Sequence, residues 1–122
     1  ELILLFLIKH FIVDFVLQTE YQWKNKGTYG HPGGLLHAGL QGLGTYLCLG
    51  WLDFGVGIIF GIFDALVHYH IDWAKRQFTR SLTSSEREFW IWHGIDQLLH
   101  ALTYFGIVYV TGLLIYGGAT LT

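Results

Sequence analysis

The sequence predicts an all-α integral membrane protein, folded as a four-helix bundle whose consecutive helices run up, down, up and down. The 122 residues are 52% hydrophobic and 17% aromatic, and only 13% are charged, whereas about 25% are charged in an average soluble domain. Four apolar segments approach the roughly 20 residues that span a bilayer. The length is that of one domain, so we expect a single transmembrane domain over residues 1–122.

The predicted helices comprise residues 2–21, 34–51, 54–75 and 86–116. Each segment is too long for a typical strand, and the one proline, Pro32, lies before the second segment. Gly57 and Gly61 form a G-x-x-x-G pattern in the third helix, which favours close packing between membrane helices. At the start of the fourth helix, Ser85 and Glu88 are spaced as in a capping box.

The charges indicate how the helices are oriented and which partners they exclude. A net charge of −2 gives no basic face for nucleic acid. The apolar helices predict the lipid bilayer as a partner, with other membrane protein chains as further candidates. Most basic residues lie in or beside the first and third linkers: Lys24, Lys26, Lys75, Arg76, Arg80 and Arg87. The positive-inside rule then makes these linkers cytoplasmic and turns both termini outward, with Lys9 as the exception.

Each predicted helix carries two polar side chains four residues apart. The pairs are His10 and Asp14, His37 and Gln41, His68 and Asp72, and Asp96 and His100. This spacing puts both members on one helix face. The order of the acidic pairs reverses in the fourth helix, where the chain direction also reverses. An up-down bundle therefore places Asp14, His37, Asp72 and Asp96 in one layer, and His10, Gln41, His68 and His100 in the next.

These layers predict a metal site near the cytoplasmic face. A carboxylate in hydrocarbon is costly unless it is paired or binds a cation, and imidazole with carboxylate suits zinc, iron or manganese. Helical bundles build dinuclear sites from such groups. The predicted ligands of one or two divalent ions are His10, Asp14, His37, His68, Asp72, Asp96 and His100. The alternative is a metal-free hydrogen-bonded network or proton relay.

Several further polar residues are assigned around the ligands, and two choices stay open. The surrounding residues are Gln18, Gln41, Asp64 and His93. Asp64 lies four residues before His68, and His93 lies three residues before Asp96, so either could replace a ligand. His70 is offset from the face of His68 and is expected to be structural.

The sequence leaves two principal functions. The first is a metal-dependent hydrolase at the cytoplasmic interface, because the layers hold more carboxylates than a minimal zinc site needs. Neither Cys48 nor a serine lies on the polar layers, so the nucleophile would be water that the metal activates. The alternative is a non-catalytic small subunit of a larger membrane complex, with a structural polar or metal core. Transport of ions ranks third, since the outward part of the fourth helix has no ionisable relay.

Four stretches in order, HFIVDFVLQT, LLHAGLQ, VHYHIDWAK and DQLLHAL, resemble the domain of unknown function 3307 family. The resemblance covers nearly the whole chain and implies a small polytopic protein of a bacterial inner membrane, or one encoded by a phage. It carries no established activity. The family's recurring polar positions correspond to His10, Asp14, Gln18, His37, His68, Asp72, Asp96, Gln97 and His100. His70 and His93 depart from that pattern and leave the choice of ligands open.

Overall fold

The computed structural model describes residues 1–117, and all regular elements in that range are helices. The helices are α1 (Leu2–Phe11), extended by a π-helical turn (Ile12–Val16), α2 (Glu20–Asn25), α3 (Pro32–Leu49), α4 (Phe54–Thr79) and α5 (Arg87–Tyr116). The predicted all-α class is confirmed, although five helices are present where four were expected. The last three predicted helices appear with shifted ends, and residues 118–122 of the predicted domain lie outside the described range.

The prediction of one continuous helix over residues 2–21 is wrong in its second half. The backbone N–H of Leu17 bonds to Ile12 at 2.8 Å, five residues back, and helical structure then stops. The side-chain amide of Gln18 donates to the carbonyl of Asp14 at 2.9 Å, replacing the main-chain donor that a continuing helix would supply. Thr19 is extended and begins α2. The chain therefore turns back towards the bundle.

The predicted cap of the fourth helix is also wrong. Glu86 occupies the N-cap position of α5, and its carboxylate accepts from the backbone N–H of Thr83 at 2.6 Å. The sequence TSSERE contains the capping-box spacing twice, once from Thr83 to Glu86 and once from Ser85 to Glu88. Only the bond from Thr83 to the Glu86 carboxylate forms, and it lies before the helix, so α5 begins at Arg87 without a side-chain hydrogen bond to its N-cap.

Glycines allow α3 and α4 to pack backbone against backbone, as the G-x-x-x-G pattern predicts. A Cβ atom on Gly42 would lie 2.5 Å from the carbonyl oxygen of Gly61, and one on Gly61 would lie 2.9 Å from the carbonyl oxygen of Gly42. A Cβ atom on Gly57 would lie 2.8 Å from the Cα atom of Gly50. This close crossing brings the polar faces of the two helices together.

The interior is largely polar and the exterior largely apolar. One small apolar core, formed by Phe6, Leu49, Tyr104 and Ile107, lies near the end where the described chain begins. Apart from glycines, the other buried residues carry mostly ionisable or amide side chains, and most of the large apolar side chains are exposed. Within residues 1–117, α4 and α5 are long and apolar enough to cross a membrane. Their composition fits a lipid environment.

The first and third linkers meet at one end of the molecule. Gln77 and Arg80, at the end of α4, both donate to the carbonyl of Gly27 at 2.9 Å. Lys26 reaches the carboxylate of Asp72 from the same linker. The polar cluster therefore lies just beneath the basic linkers.

Candidate metal centre

Four buried side chains converge from the π-helical turn, α3 and α4. The Nε2 atoms of His37 and His68 lie 3.2 Å apart. Asp14 Oδ1 lies 3.0 and 3.6 Å from these nitrogens, and Asp72 Oδ2 lies 3.4 Å from each of them. Ligands at about 2.0–2.1 Å around a tetrahedral zinc ion are about 3.3–3.4 Å apart. The four atoms are here called the first donor set, and their five separations given above are of the size found between ligands of one ion.

A second donor set adjoins the first through Asp72. Its other oxygen, Oδ1, lies 3.2 Å from His100 Nε2, which in turn lies 3.4 Å from Asp96 Oδ1. Asp96 Oδ1 is buried and has no hydrogen-bond partner among residues 1–117. The two oxygens of Asp72 therefore face two donor sets, as in a carboxylate that bridges two ions.

The π-helical turn aims Asp14 into the first donor set. Such turns occur frequently at functional sites. The amide of Gln41 donates to Asp14 Oδ1 at 2.7 Å, and His10 Nε2 lies 3.2 Å from the other oxygen. His10 is itself held by the hydroxyl of Tyr104 at 2.8 Å and by Gln97 Oε1 at 3.0 Å. Because both of its nitrogens are engaged in this way, His10 orients Asp14 and stands outside the two donor sets.

Gln22, on α2, is a site residue that the sequence interpretation missed. It is buried, and its Oε1 lies 3.3 Å from His37 Nδ1. An amide oxygen only accepts, so Nδ1 carries the proton and the lone pair of Nε2 points into the first donor set. The sequence does carry a signal for Gln22, because polar residues recur every four positions at 10, 14, 18, 22 and 26.

Lys26 is a second missed residue at the end of that series. Its ammonium lies 3.2 Å from Asp72 Oδ2 and 3.1 Å from Gln18 Oε1. Burial lowers the pKa of Lys26, but Asp72, Asp14 and Asp96 outweigh that effect, and the pKa is raised. The ammonium stays charged at neutral pH and neutralises part of the acidic cluster.

Asp64 lies outside both donor sets in a separate ion pair. The ammonium of Lys9 is 2.8 Å from Asp64 Oδ2 and 2.8 Å from Gln41 Oε1. Thr45 donates to the same carboxylate oxygen at 2.6 Å. A Cβ atom on Gly44 would lie 2.6 Å from Lys9 Cγ, so the glycine makes room for the lysine stem. Lys9, the exception to the positive-inside pattern, is thus neutralised internally.

His93 and His70, which the sequence left open as alternative ligands, lie at or beyond the edge of the cluster. Lys75 Nζ is 3.2 Å from His93 Nδ1 and 3.7 Å from Asp96 Oδ2, so His93 neighbours the second donor set without joining it. His70 is exposed, and it bonds to Leu66 O and to the hydroxyl of Tyr29. Its offset on the helix separates it from His68, as expected.

The His–Asp pair of α4 and the Asp–His pair of α5 bring side chains of the two helices into contact, as their reversed order predicts. The rings of His68 and His100 stack with centroids 3.9 Å apart, and the ring of His10 lies 5.1 Å from that of His100. In the neighbouring layer, His37 contacts Asp14 and Asp72 as described above. Asp96 lies at the edge of that layer, beside Lys75.

A family model described as "Protein of unknown function (DUF3307)" matches residues 2–117. The chain belongs to the DUF3307 family. No curated protein and no solved structure matches it. The resemblance carried by the four sequence stretches is therefore confirmed, and any activity has to be argued from the site itself.

The DUF3307 cluster has the composition of a transition-metal site. Two overlapping groups bring ligand atoms within 4.8 Å of one another: Asp14, His37 and His68, and His68, Asp72 and His100. All members are buried. Neutral imidazoles with carboxylates suit zinc, iron or manganese. These groups could hold a divalent ion.

Proposed function

We propose that this DUF3307 protein is a membrane-embedded, metal-dependent hydrolase with a dinuclear site. The observation that carries the proposal is the first donor set, in which five separations between two imidazole nitrogens and two carboxylate oxygens all lie between 3.0 and 3.6 Å. A divalent cation bound among these atoms would account for two imidazole Nε2 atoms and two carboxylates lying so close together.

The distribution of polarity supports a location in the membrane. Buried histidines, aspartates and lysines form the interior, while leucine, isoleucine and phenylalanine side chains cover much of the exterior. Contact between this apolar surface and water would be unfavourable, whereas contact with lipid would not. We place the protein, whether a bacterium or a phage encodes it, in the bacterial inner membrane. The basic linkers are then cytoplasmic, and the site lies near that face.

The second donor set supports a catalytic role. The first set has four protein ligands, which is typical of a closed site, whereas the second set has three: His100, Asp72 and Asp96. Catalytic zinc sites keep such an open position for water. An ion there would activate water and polarise an ester oxygen. Asp96 would take the proton that water loses on attack through Oδ2, the oxygen outside the second donor set, and that proton would pass to the departing alkoxide as the ester bond breaks.

We expect the purified protein to contain about two equivalents of a divalent metal, and His68→Ala to lose about one of them, the ion of the first donor set. Removing only an outer partner of a ligand costs about 10–100-fold in metal affinity, so loss of a ligand itself should cost more. Elemental analysis of protein in detergent measures the content. The same samples, assayed with chromogenic phosphoesters and carboxylic esters, should show turnover that a chelator removes.

His70→Ala is the matched control for metal content, because His70 lies two residues away and is exposed. It should keep its metal. Equal metal content in the two alanine variants, or wild-type protein with less than one equivalent after metal supplementation, would refute metal binding by the first donor set.

Gln22→Ala is expected to weaken metal binding by about 10–100-fold, because the amide oxygen that fixes the tautomer of His37 is lost. Chelator competition on the purified protein measures the affinity. Gln22→Glu should restore most of it, since a carboxylate also accepts from Nδ1. If the alanine and glutamate variants bind metal equally weakly, accepting the proton of His37 Nδ1 is not the role of Gln22 in metal binding.

A second function, a non-catalytic subunit with an ion-paired core, is favoured by one specific observation. Three buried or nearly buried lysines face the buried carboxylates: Lys9 with Asp64, Lys26 with Asp72, and Lys75 with Asp96. These ammonium groups would neutralise much of the acidic charge without a metal. Purification from native membranes with stoichiometric partner chains, no metal and no turnover would support this function over the hydrolase.

A further inference from the structure

A groove of about 590 Å³ runs along the outside of the molecule between α4 and α5. Its volume is within the range of small-molecule sites, about 300–1,000 Å³. On α4 it extends from Phe63 to Phe78, roughly 22 Å along the axis at 1.5 Å per residue. The walls are largely apolar and include Leu66, Ile71 and Leu99. The groove thus has the shape and polarity to hold an extended hydrocarbon chain.

Two charged side chains interrupt the apolar wall and connect it to the second donor set. Lys75 and Asp96 both line the groove. The side chain of Lys75 is 12% exposed. Asp96 Oδ1, which lacks a hydrogen-bond partner within the described chain, lies 3.4 Å from His100 Nε2. Asp96 therefore belongs both to the wall of the groove and to the second donor set.

The positions of Lys75 and Asp96 in the wall indicate which kind of molecule the groove would bind. The groove lies between the two helices that are long and apolar enough to cross a membrane. A water-soluble ester would leave the apolar length between Phe63 and Leu99 unfilled. A neutral lipid would fill it but offer no anionic partner to Lys75. An anionic lipid would fill the apolar length of the groove with an acyl chain and offer Lys75 an anionic partner.

We propose that the groove binds one acyl chain of a membrane phospholipid and places its phosphate ester beside Lys75 and Asp96. This inference rests on the proposed function and names its substrate class. The hydrocarbon chain lies along Ile71 and Leu99, and the phosphate faces the open position of the second donor set.

Photocrosslinking in nanodiscs tests the acyl-chain site. The probe is a phosphatidylglycerol with a diazirine in one acyl chain, and mass spectrometry maps the labelled residues. We expect labelling to concentrate on the groove and to fall severalfold in Leu99→Trp and in Ala74→Trp, which fill it from opposite walls. Leu98→Trp is the control, because Leu98 is 57% exposed and does not line the groove. Equal loss in Leu98→Trp, or labelling spread evenly over the exposed apolar surface, would overturn the proposal.

A diacylglycerol carrying the same diazirine tests the role of the phosphate. In wild-type protein it should label the groove severalfold less than the phospholipid, and Lys75→Gln should remove that difference. Equal labelling by both probes in wild-type protein, or crosslinks joining two chains across the groove, would contradict phospholipid binding. Metal content, measured on the same samples, separates the two proposals: groove labelling without metal would refute the hydrolase and leave the lipid site supported.

Discussion

Lys9→Met is expected to destabilise the fold by about 3–5 kcal/mol, the range found when one partner of a buried ion pair is removed. The substitution leaves the carboxylate of Asp64 buried without its cation, and the other Asp64 oxygen, Oδ1, already has no hydrogen-bond partner in the described residues. Methionine fills the space of the lysine stem beside Gly44, so the loss reports charge and hydrogen bonding more than packing. Unfolding in mixed micelles measures the change.

The double variant Lys9→Met/Asp64→Leu is the matched control for this ion pair. Apolar replacement of both partners of a buried pair is often neutral or stabilising, so most of the lost stability should return. A double variant as unstable as Lys9→Met would show that Lys9 acts through Gln41 instead of Asp64. Because Asp64 lies outside both donor sets, the double variant should also retain its metal.

Asp72→Asn is expected to have the largest effect on metal content, with both ions lost. Asp72 presents one oxygen to His37 and His68 and the other to His100. Asparagine has one oxygen and no charge, so it cannot bridge two cations. Elemental analysis and turnover should both fall to the level of chelated protein.

Two further variants make this result specific. Asp96→Asn should lose about one equivalent and keep the other, because Asp96 belongs to the second donor set alone. Lys26→Met should keep metal, since a bound cation takes over the charge that Lys26 supplies to Asp72. If Lys26→Met instead fails to fold with or without metal, the ion-paired core is the better description. Loss of both ions in Asp96→Asn would contradict two separate donor sets.

Periodicity along the chain predicted much of the candidate site. His68 and Asp72 share a face because four residues make about one helical turn, and this relation is local to the sequence. The reversal from His–Asp to Asp–His in α5 further predicted that groups from different helices would meet, and His100 does contact Asp72. The offset of His70 was visible in the same way.

Other features were not visible, because they depend on contacts between distant segments. The i,i+4 pattern of His10 and Asp14 continues through Gln18, yet the helix ends when the side chain of Gln18 replaces a main-chain donor. The continuous helix predicted to Tyr21 was wrong for that reason. Asp64 and His93 could not be distinguished from ligands by spacing, because only their partners, Lys9 and Lys75, separate them from the donor sets.

The sequence by itself determined the helical class, the family and the polar face of each long helix, since composition and periodicity act within single segments. Only the tertiary structure decided which buried charges neutralise one another. Lys9 and Lys26 carry the same charge near the same segment, but one pairs with Asp64 and the other with Asp72. In a low-dielectric interior each such choice depends on distances of a few ångströms between helices, and those distances are set by packing.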